Sequence, residues 1–209
     1  MLSLHLKIIR WFELLLLYIG LPLLLKYSQN PGLKFVALLL VFGVFLYVLL
    51  RDKTFKKRQF RLNGFRAWRM ILWRTSLMII FLLTFTWFFY PAQYFALPAH
   101  ATGLWAMTVL AYPFVSVIPQ ELVFRVYFYH RFQGLVANRN LLMLVNALLF
   151  SYSHIVFNNW VVLVFTFIAS LLFSFTYLRH RSFTIVVLEH SLYGLLVFTI
   201  GPASFFHSF

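Results

Sequence analysis

The sequence contains no cysteine and few acidic residues. Its 209 residues include only four Asp and Glu against 18 Lys and Arg, so the formal net charge is +14. The absence of cysteine excludes disulfides, thiolate nucleophiles and Cys-based zinc sites. Charged residues make up 11% of the chain and hydrophobic residues 63%. This balance indicates a membrane protein rather than a soluble enzyme.

The apolar residues fall into runs of membrane-spanning length. We predict an all-α, polytopic bundle of about seven transmembrane helices. The runs are Trp11–Leu25, Phe35–Leu50, Met70–Tyr90, Gly103–Ile118 and beyond, Leu141–Phe157, Val161–Leu178 and Phe183–Ile200. Because the loops between them are short, we predict a single transmembrane domain over residues 1–209 without a soluble module.

Basic residues cluster in the loop after the second run and at the start of the third. By the positive-inside rule this loop is cytoplasmic, which predicts that the N-terminus lies inside and the C-terminus outside. Membrane lipid accounts for these charges better than nucleic acid does, so we expect no nucleic-acid partner. Aromatic residues alternate with the basic ones over residues 51–68, which predicts a cytoplasmic amphipathic segment on the inner leaflet. The basic residues are Arg51, Lys53, Lys56, Lys57, Arg58, Arg61, Arg66, Arg69 and Arg74.

An acid and a base occur together inside the fourth apolar run. Glu121 and Arg125 are four residues apart, so on a helix they lie on one face and can compensate each other's charge. Charged groups are expensive within a bilayer, which makes the pair a candidate functional site; the alternative is a purely structural ion pair. Pro113 and Pro119 precede the pair and predict a kink in the same helix.

Two later runs carry histidine. In the fifth run, Asn146, Phe150, His154 and Asn158 recur at intervals of four and are predicted to share one helix face. In the seventh run, His190 follows Glu189, and neighbouring residues on a helix point about 100° apart, so the two need different partners. A carboxylate with two imidazoles can activate water. The same three groups, Glu121, His154 and His190, could alternatively bind zinc, although the HExxH spacing is absent.

Three short motifs, in order, resemble the CPBP family of CAAX proteases and bacteriocin-processing enzymes. They are Gln120-Glu121-x-x-x-Arg125, Phe150-x-x-x-His154 and His190-x-x-x-Gly194, and the resemblance extends from Pro113 to Gly194 within a core of about residues 103–200. It implies a glutamic-type intramembrane endopeptidase without a cofactor, in a bacterial inner membrane. Its partners would be membrane lipid and a peptide or protein substrate that can itself be membrane-anchored.

The resemblance also implies roles for individual residues. Glu121 would be the base, Arg125 its charge partner, and His154 and His190 the groups that orient water or stabilise the oxyanion. Two positions depart from the family pattern: the first glutamate of the family's pair, which is taken as its water-activating base, is Gln120 here, and the family's Asn or Asp, an oxyanion donor, is Gly194. Phe150 belongs to the second motif, and Gln120 or Asn158 could supply an amide donor in compensation. The alternative is an inert CPBP-like protein that acts in bacteriocin immunity or as a scaffold.

Overall fold

The structure, a computed structural model, describes residues 3–28, 30–60 and 67–206. Seven helices in these residues are long and apolar enough to cross a membrane, which confirms the predicted all-α bundle. Each helix falls on one of the predicted runs, while the orientation of the termini stays a prediction. In chain order the helices are α1 Leu4–Lys26, α2 Pro31–Arg51, α3 Ala67–Phe89, α4 Thr102–Phe132, α5 Arg139–Phe157, α6 Trp160–His180 and α7 Phe183–Ile200.

Asparagine side chains set where three of the helices begin. Asn30, Asn138 and Asn159 precede α2, α5 and α6, and the Oδ1 atom of each accepts a first-turn backbone N–H at 2.8–2.9 Å. Such caps satisfy amide groups that the helix itself leaves unpaired. A further short helix, Ala96–His100, lies in the connection between α3 and α4.

Helix α4 is irregular at two places. Wider π turns occupy Pro113–Val117 and Leu122–Tyr127, on either side of a short α-helical segment, Ile118–Glu121. The first begins at one of the two prolines, where the missing backbone N–H interrupts the hydrogen-bond ladder. A π turn is wider than an α-helical turn, so the faces of α4 before and after each π turn are rotated relative to a regular α-helix. Glu121 is the last residue of the α-helical segment between the two π turns.

The C-terminal half of α4 is the centre of the bundle. Every residue from Glu121 to Tyr129 is buried. Tyr18 of α1 donates a hydrogen bond to the backbone carbonyl of Val123 at 2.8 Å, and the ring of Phe45 in α2 stacks on Tyr127 with 3.8 Å between centroids. Helices α1 and α2 therefore hold α4 in place, although they precede residues 103–200, the part of the chain that contains the three motifs.

The predicted amphipathic segment over residues 51–68 does not form an α-helix in its described part after Arg51. Helix α2 ends at Arg51, and Asp52 then accepts hydrogen bonds from both the backbone N–H and the hydroxyl of Thr54 at 2.8 and 2.7 Å. A local turn of this kind competes with continuation of a helix. Only a 3₁₀ turn, Lys57–Phe60, follows, and residues 61–66 lie outside the described residues.

Candidate active site

Two of the three motifs meet in the middle of the bundle. The Oε1 atom of Glu121 lies 2.8 Å from Nδ1 of His190, and its Oε2 atom lies 3.4 Å from Nε of Arg125. The side chains of Glu121 and Arg125 are fully buried. The predicted pairing of Glu121 with Arg125 across one helical turn is thus present, and α7 adds an imidazole to it.

Arg125 is held by polar groups from α5 and α6. Its Nη1 atom donates to Oδ1 of Asn146 at 2.8 Å, and its Nη2 atom donates to Oγ of Ser170 at 3.1 Å. The guanidinium also lies over the rings of Phe150 and Phe173, with 4.9 and 5.7 Å to their centroids. These contacts fix the guanidinium, so its positive charge stays beside Glu121.

Asn146 connects this charge to the backbone of α4. Its Nδ2 atom donates to the carbonyl oxygen of Phe124 at 2.7 Å, while its Oδ1 atom also accepts from Ser174 at 2.9 Å. The orientation of the amide follows from these donors and acceptors. Both polar atoms of the Asn146 side chain are therefore hydrogen-bonded inside the bundle, which explains how an amide is accommodated at a fully buried position.

The contacts of His190 define which of its nitrogens can act as a base. Because a carboxylate accepts hydrogen bonds, the Nδ1 atom beside Glu121 carries a proton, so in the neutral imidazole the lone pair is on Nε2. The hydroxyl of Tyr112 lies 3.2 Å from that Nε2 atom, and the imidazole stacks on Phe173 at 4.6 Å. Glu121, His190 and Tyr112 thus form a chain of carboxylate, imidazole and phenol.

The second histidine, His154, has the same tautomer but a different partner. Its Nδ1 atom lies 2.8 Å from the backbone carbonyl oxygen of Phe150, which can only accept, so Nε2 again holds the lone pair. The Phe150 ring lies close to both imidazoles, 4.7 Å from that of His154 and 5.8 Å from that of His190. The carboxylate of Glu121 contacts His190 and Arg125 rather than His154.

Both histidines line one cavity of about 270 Å³ between α3, α4, α5, α6 and α7. Gln120 lines it as well, with its Nε2 atom donating to Ser116 at 2.7 Å. The Oε1 atom of Gln120 is buried without a hydrogen-bond partner among the described residues. A buried acceptor of this kind calls for a water molecule or a ligand group.

A second, largely apolar cavity of about 350 Å³ lies between α1, α2, α4 and α5. The two cavities share a wall in which Gln120 and His154 take part. The side chain of Lys34 lines the second cavity near the start of α2. The cavity that contains His190 is therefore next to a second cavity whose apolar walls can accommodate an apolar peptide segment.

Gly194 adjoins the phenol of Tyr112. A Cβ atom at position 194 would lie 2.3 Å from the Tyr112 hydroxyl and 2.4–2.5 Å from two atoms of its ring. Non-bonded contacts of a Cβ atom are essentially never this short, so position 194 must be glycine while Tyr112 keeps this position. The hydroxyl thus occupies the space where a polar side chain at position 194 would begin.

Other predicted positions lie apart from this centre. Glu189 and His190 do face different partners, since the buried Glu189 pairs with the partly exposed Arg74 at 3.1 Å and accepts from Tyr193 at 3.2 Å. The shared face predicted for α5 fails at Asn158, because the α-helix ends at Ser153 and Asn158 lies exposed with φ 50°. Its amide is therefore outside the cavity.

The zinc alternative does not match the arrangement of its three residues. Glu121 meets the protonated Nδ1 side of His190, whereas a metal would need the lone pair on Nε2. Among the described residues, no group of three His, Cys, Asp or Glu side chains is close enough to hold a metal ion.

Tyr112 and Ser170 belong to no predicted motif, and Arg74 was predicted only as part of the cytoplasmic basic cluster, not as the partner of Glu189. The sequence does contain a pattern that indicates Tyr112. Tyr112, Ser116 and Gln120 are spaced by four, and all three line the cavity. Polar residues also follow an interval of four on α6, where Ser170 contacts Arg125. Such polar stripes inside apolar runs indicate the faces that meet within a membrane bundle.

The comparison with protein families agrees with the motifs. Residues 102–196 match a family described as type II CAAX prenyl endopeptidase Rce1-like. The matched segment contains all three motifs, from Gln120 to Gly194, and the family description is that of a peptidase. No curated protein and no solved structure matches the chain significantly. Over this segment, which is less than half of the chain, the sequence is similar to CAAX-protease-like membrane proteins, and this similarity supports the resemblance of its motifs to the CPBP family.

Proposed function

We propose that the protein is an intramembrane endopeptidase of the plasma membrane of a bacterium, and that it hydrolyses a peptide bond beside His190. The observation that carries the proposal is the chain from Glu121 through His190 to Tyr112 at the wall of a cavity. A carboxylate that orients an imidazole, whose other nitrogen faces a reacting group, is a recurrent arrangement for general base catalysis.

His190 takes the proton from the attacking water in this mechanism. Glu121 is fully buried and its Oε1 atom is engaged by Nδ1 of His190, so it acts through the imidazole rather than on water directly. The water oxygen bonds to the carbonyl carbon while its proton passes to Nε2. The negative carboxylate stabilises the imidazolium, which then gives that proton to the leaving amine as the C–N bond breaks.

Arg125 keeps the carboxylate in place for this role. Its guanidinium compensates the charge of Glu121 where water is absent, and it is itself fixed by Asn146 and Ser170. His154 and Gln120 lie on the cavity wall and supply acceptors, the imidazole Nε2 and the amide Oε1, for a water molecule or a substrate N–H. They position the reactants in this proposal.

Tyr112 supplies the donor that the family pattern has at position 194. Its hydroxyl occupies the space beside Gly194 and already points to Nε2 of His190. When water takes the place next to Nε2, the phenol is free to donate to the oxyanion that forms on the carbonyl oxygen. The departure at Gly194 is compensated by Tyr112 in this way.

The substrate is a peptide or protein with an apolar segment next to the cleaved bond. The 350 Å³ cavity adjoins Gln120 and His154 and has room for such a segment. Entry from the lipid brings a membrane-anchored chain to the site without exposing its apolar part to water.

The inert CPBP-like protein is the second candidate, favoured by one residue. Gln120 stands where the family has a glutamate, and an amide cannot take a proton at neutral pH. A protein of this kind would bind its partner through the same cavities without cleaving it. Cleavage of a peptide by the purified protein would favour the protease, and its absence would favour the inert protein.

A reconstituted assay tests the protease and its independence of metal. The purified protein in liposomes is incubated with a synthetic library of peptides that carry apolar or lipidated C-terminal segments, and new termini are identified by mass spectrometry. We expect cleavage that is unchanged by EDTA and 1,10-phenanthroline, because the base is an imidazole. Loss of cleavage in chelator, with recovery on adding zinc, would overturn the proposed mechanism.

A further inference from the structure

A third cavity of about 300 Å³ lies away from the candidate active site, at the C-terminal ends of α4 and α6. Residues 54–59, which follow α2, form its remaining side. Three cationic side chains, those of Lys56, Arg58 and Arg181, line it, and all three residues are exposed. The neutral polar residues in the wall include Gln59 and Tyr129.

The positive charge of this cavity is not compensated by the carboxylate nearest to it along the chain. Asp52 is paired with His130 at 2.7 Å and accepts two hydrogen bonds from Thr54. The hydrogen bond from His130 is the main cause that lowers the pKa of Asp52 to about 2. Among the described residues, none of the ion pairs involves Lys56, Arg58 or Arg181.

The backbone at Arg181 adopts a conformation that favours glycine. Arg181 follows α6 with φ 48° and ψ 39°, and its N–H donates to the carbonyl of Tyr177 at 2.7 Å. Helices commonly end in this left-handed conformation, and glycine is the residue that takes it without strain. An arginine there, with its side chain at the cavity, points to a use for the guanidinium.

An amide in the wall suits an acceptor-rich ligand. Tyr177 donates to Oε1 of Gln59, which leaves the NH₂ end of that amide for another partner. Two guanidinium groups, an ammonium and neutral donors are the groups that bind a phosphate.

We propose that this cavity binds a phosphate group. Its place at the ends of two spanning helices, among the basic residues, favours the headgroup of an anionic phospholipid over free phosphate. The site is separate from Glu121 and His190, and the inference is independent of any proteolytic activity.

The variant Arg181→Gly tests the site without endangering the fold. Glycine removes the guanidinium and relieves the left-handed backbone, so the variant should be at least as resistant to thermal unfolding as the wild type. Native mass spectrometry of the full protein in detergent then measures binding of phosphatidylglycerol, with phosphatidylcholine as the neutral lipid. We expect Arg181→Gly and Arg58→Ala each to weaken phosphatidylglycerol binding about tenfold.

Arg179→Ala is the matched control. Arg179 lies two residues from Arg181 and carries the same charge, but its guanidinium lies over the ring of Phe175 at 5.8 Å, outside the cavity. It should bind phosphatidylglycerol within twofold of the wild type. An equal loss in Arg179→Ala, or wild-type binding by Arg181→Gly, would overturn the proposal in favour of general attraction to a basic surface.

A competition arm with inorganic phosphate identifies the source of the phosphate group. Displacement of the lipid by millimolar phosphate, in the wild type but not in Arg181→Gly, would assign the site to free phosphate. Retention of the lipid in phosphate would assign it to the headgroup. If neither phosphatidylglycerol nor phosphate binds the wild type more tightly than phosphatidylcholine does, the proposal is wrong.

Discussion

Replacing Glu121 by glutamine is expected to reduce peptide cleavage by about 10⁴-fold, the loss typical when the carboxylate behind a catalytic histidine becomes an amide. Glutamine keeps the shape of the side chain but loses the negative charge that stabilises the imidazolium of His190, 2.8 Å away. The measurement is the rate of cleavage per folded molecule in the reconstituted assay.

Glu189→Gln is a matched control, because Glu189 is also fully buried and paired with an arginine, Arg74. Removing one partner of a buried ion pair costs about 3–5 kcal/mol of stability, so both variants should unfold more easily than the wild type. Only Glu121→Gln should lose cleavage, because Glu189 does not contact His190 through its carboxylate. Equal losses of activity in the two folded variants would contradict the assigned role of Glu121.

Removing the hydroxyl of Tyr112 is expected to lower the rate of cleavage by about 10²–10³-fold, the effect of deleting one oxyanion donor. Tyr112→Phe keeps the ring, so the cavity and the packing beside Gly194 should not change. Gly194→Ala should have a similar effect by another route, since a Cβ atom would lie 2.3 Å from the hydroxyl and displace the phenol from His190.

A double variant separates the chemistry of the donor from the packing. Tyr112→Ala with Gly194→Asn makes room for an amide beside His190 and reproduces the family pattern at position 194. It should recover part of the activity that Tyr112→Ala loses, and the change should appear in kcat more than in KM. Full activity in Tyr112→Phe, or no recovery in the double variant, would remove Tyr112 from the mechanism.

The fold could be predicted closely because it depends on local properties of the sequence. Each spanning helix follows from an apolar run, and the asparagine residues before α2, α5 and α6 cap the helices where those runs begin. The pairing of Glu121 with Arg125 likewise follows from a spacing of four on one helix. The divergence of Glu189 and His190 follows from the angle between neighbouring residues.

The candidate site depended on contacts between helices, which periodicity does not determine. The depth at which His190 meets Glu121 depends on the π turns of α4, and the sequence indicated only a proline kink there. The close approach of Tyr112 to Gly194 depends on how α7 packs on α4. An interval of four along α5 predicted a shared face as far as Asn158, although the α-helical part of α5 ends at Ser153 and a 3₁₀ turn follows.

The most direct test of proteolysis compares protein termini in whole cells that express either the wild type or Glu121→Gln at matched membrane levels. Mass spectrometry of the enriched termini then identifies the cleaved proteins and the positions of the cleaved bonds. We predict a small set of new termini, next to apolar or membrane-anchored segments, that appear only with the wild type. Identical termini in the two populations would contradict the proposed protease and favour the inert CPBP-like protein.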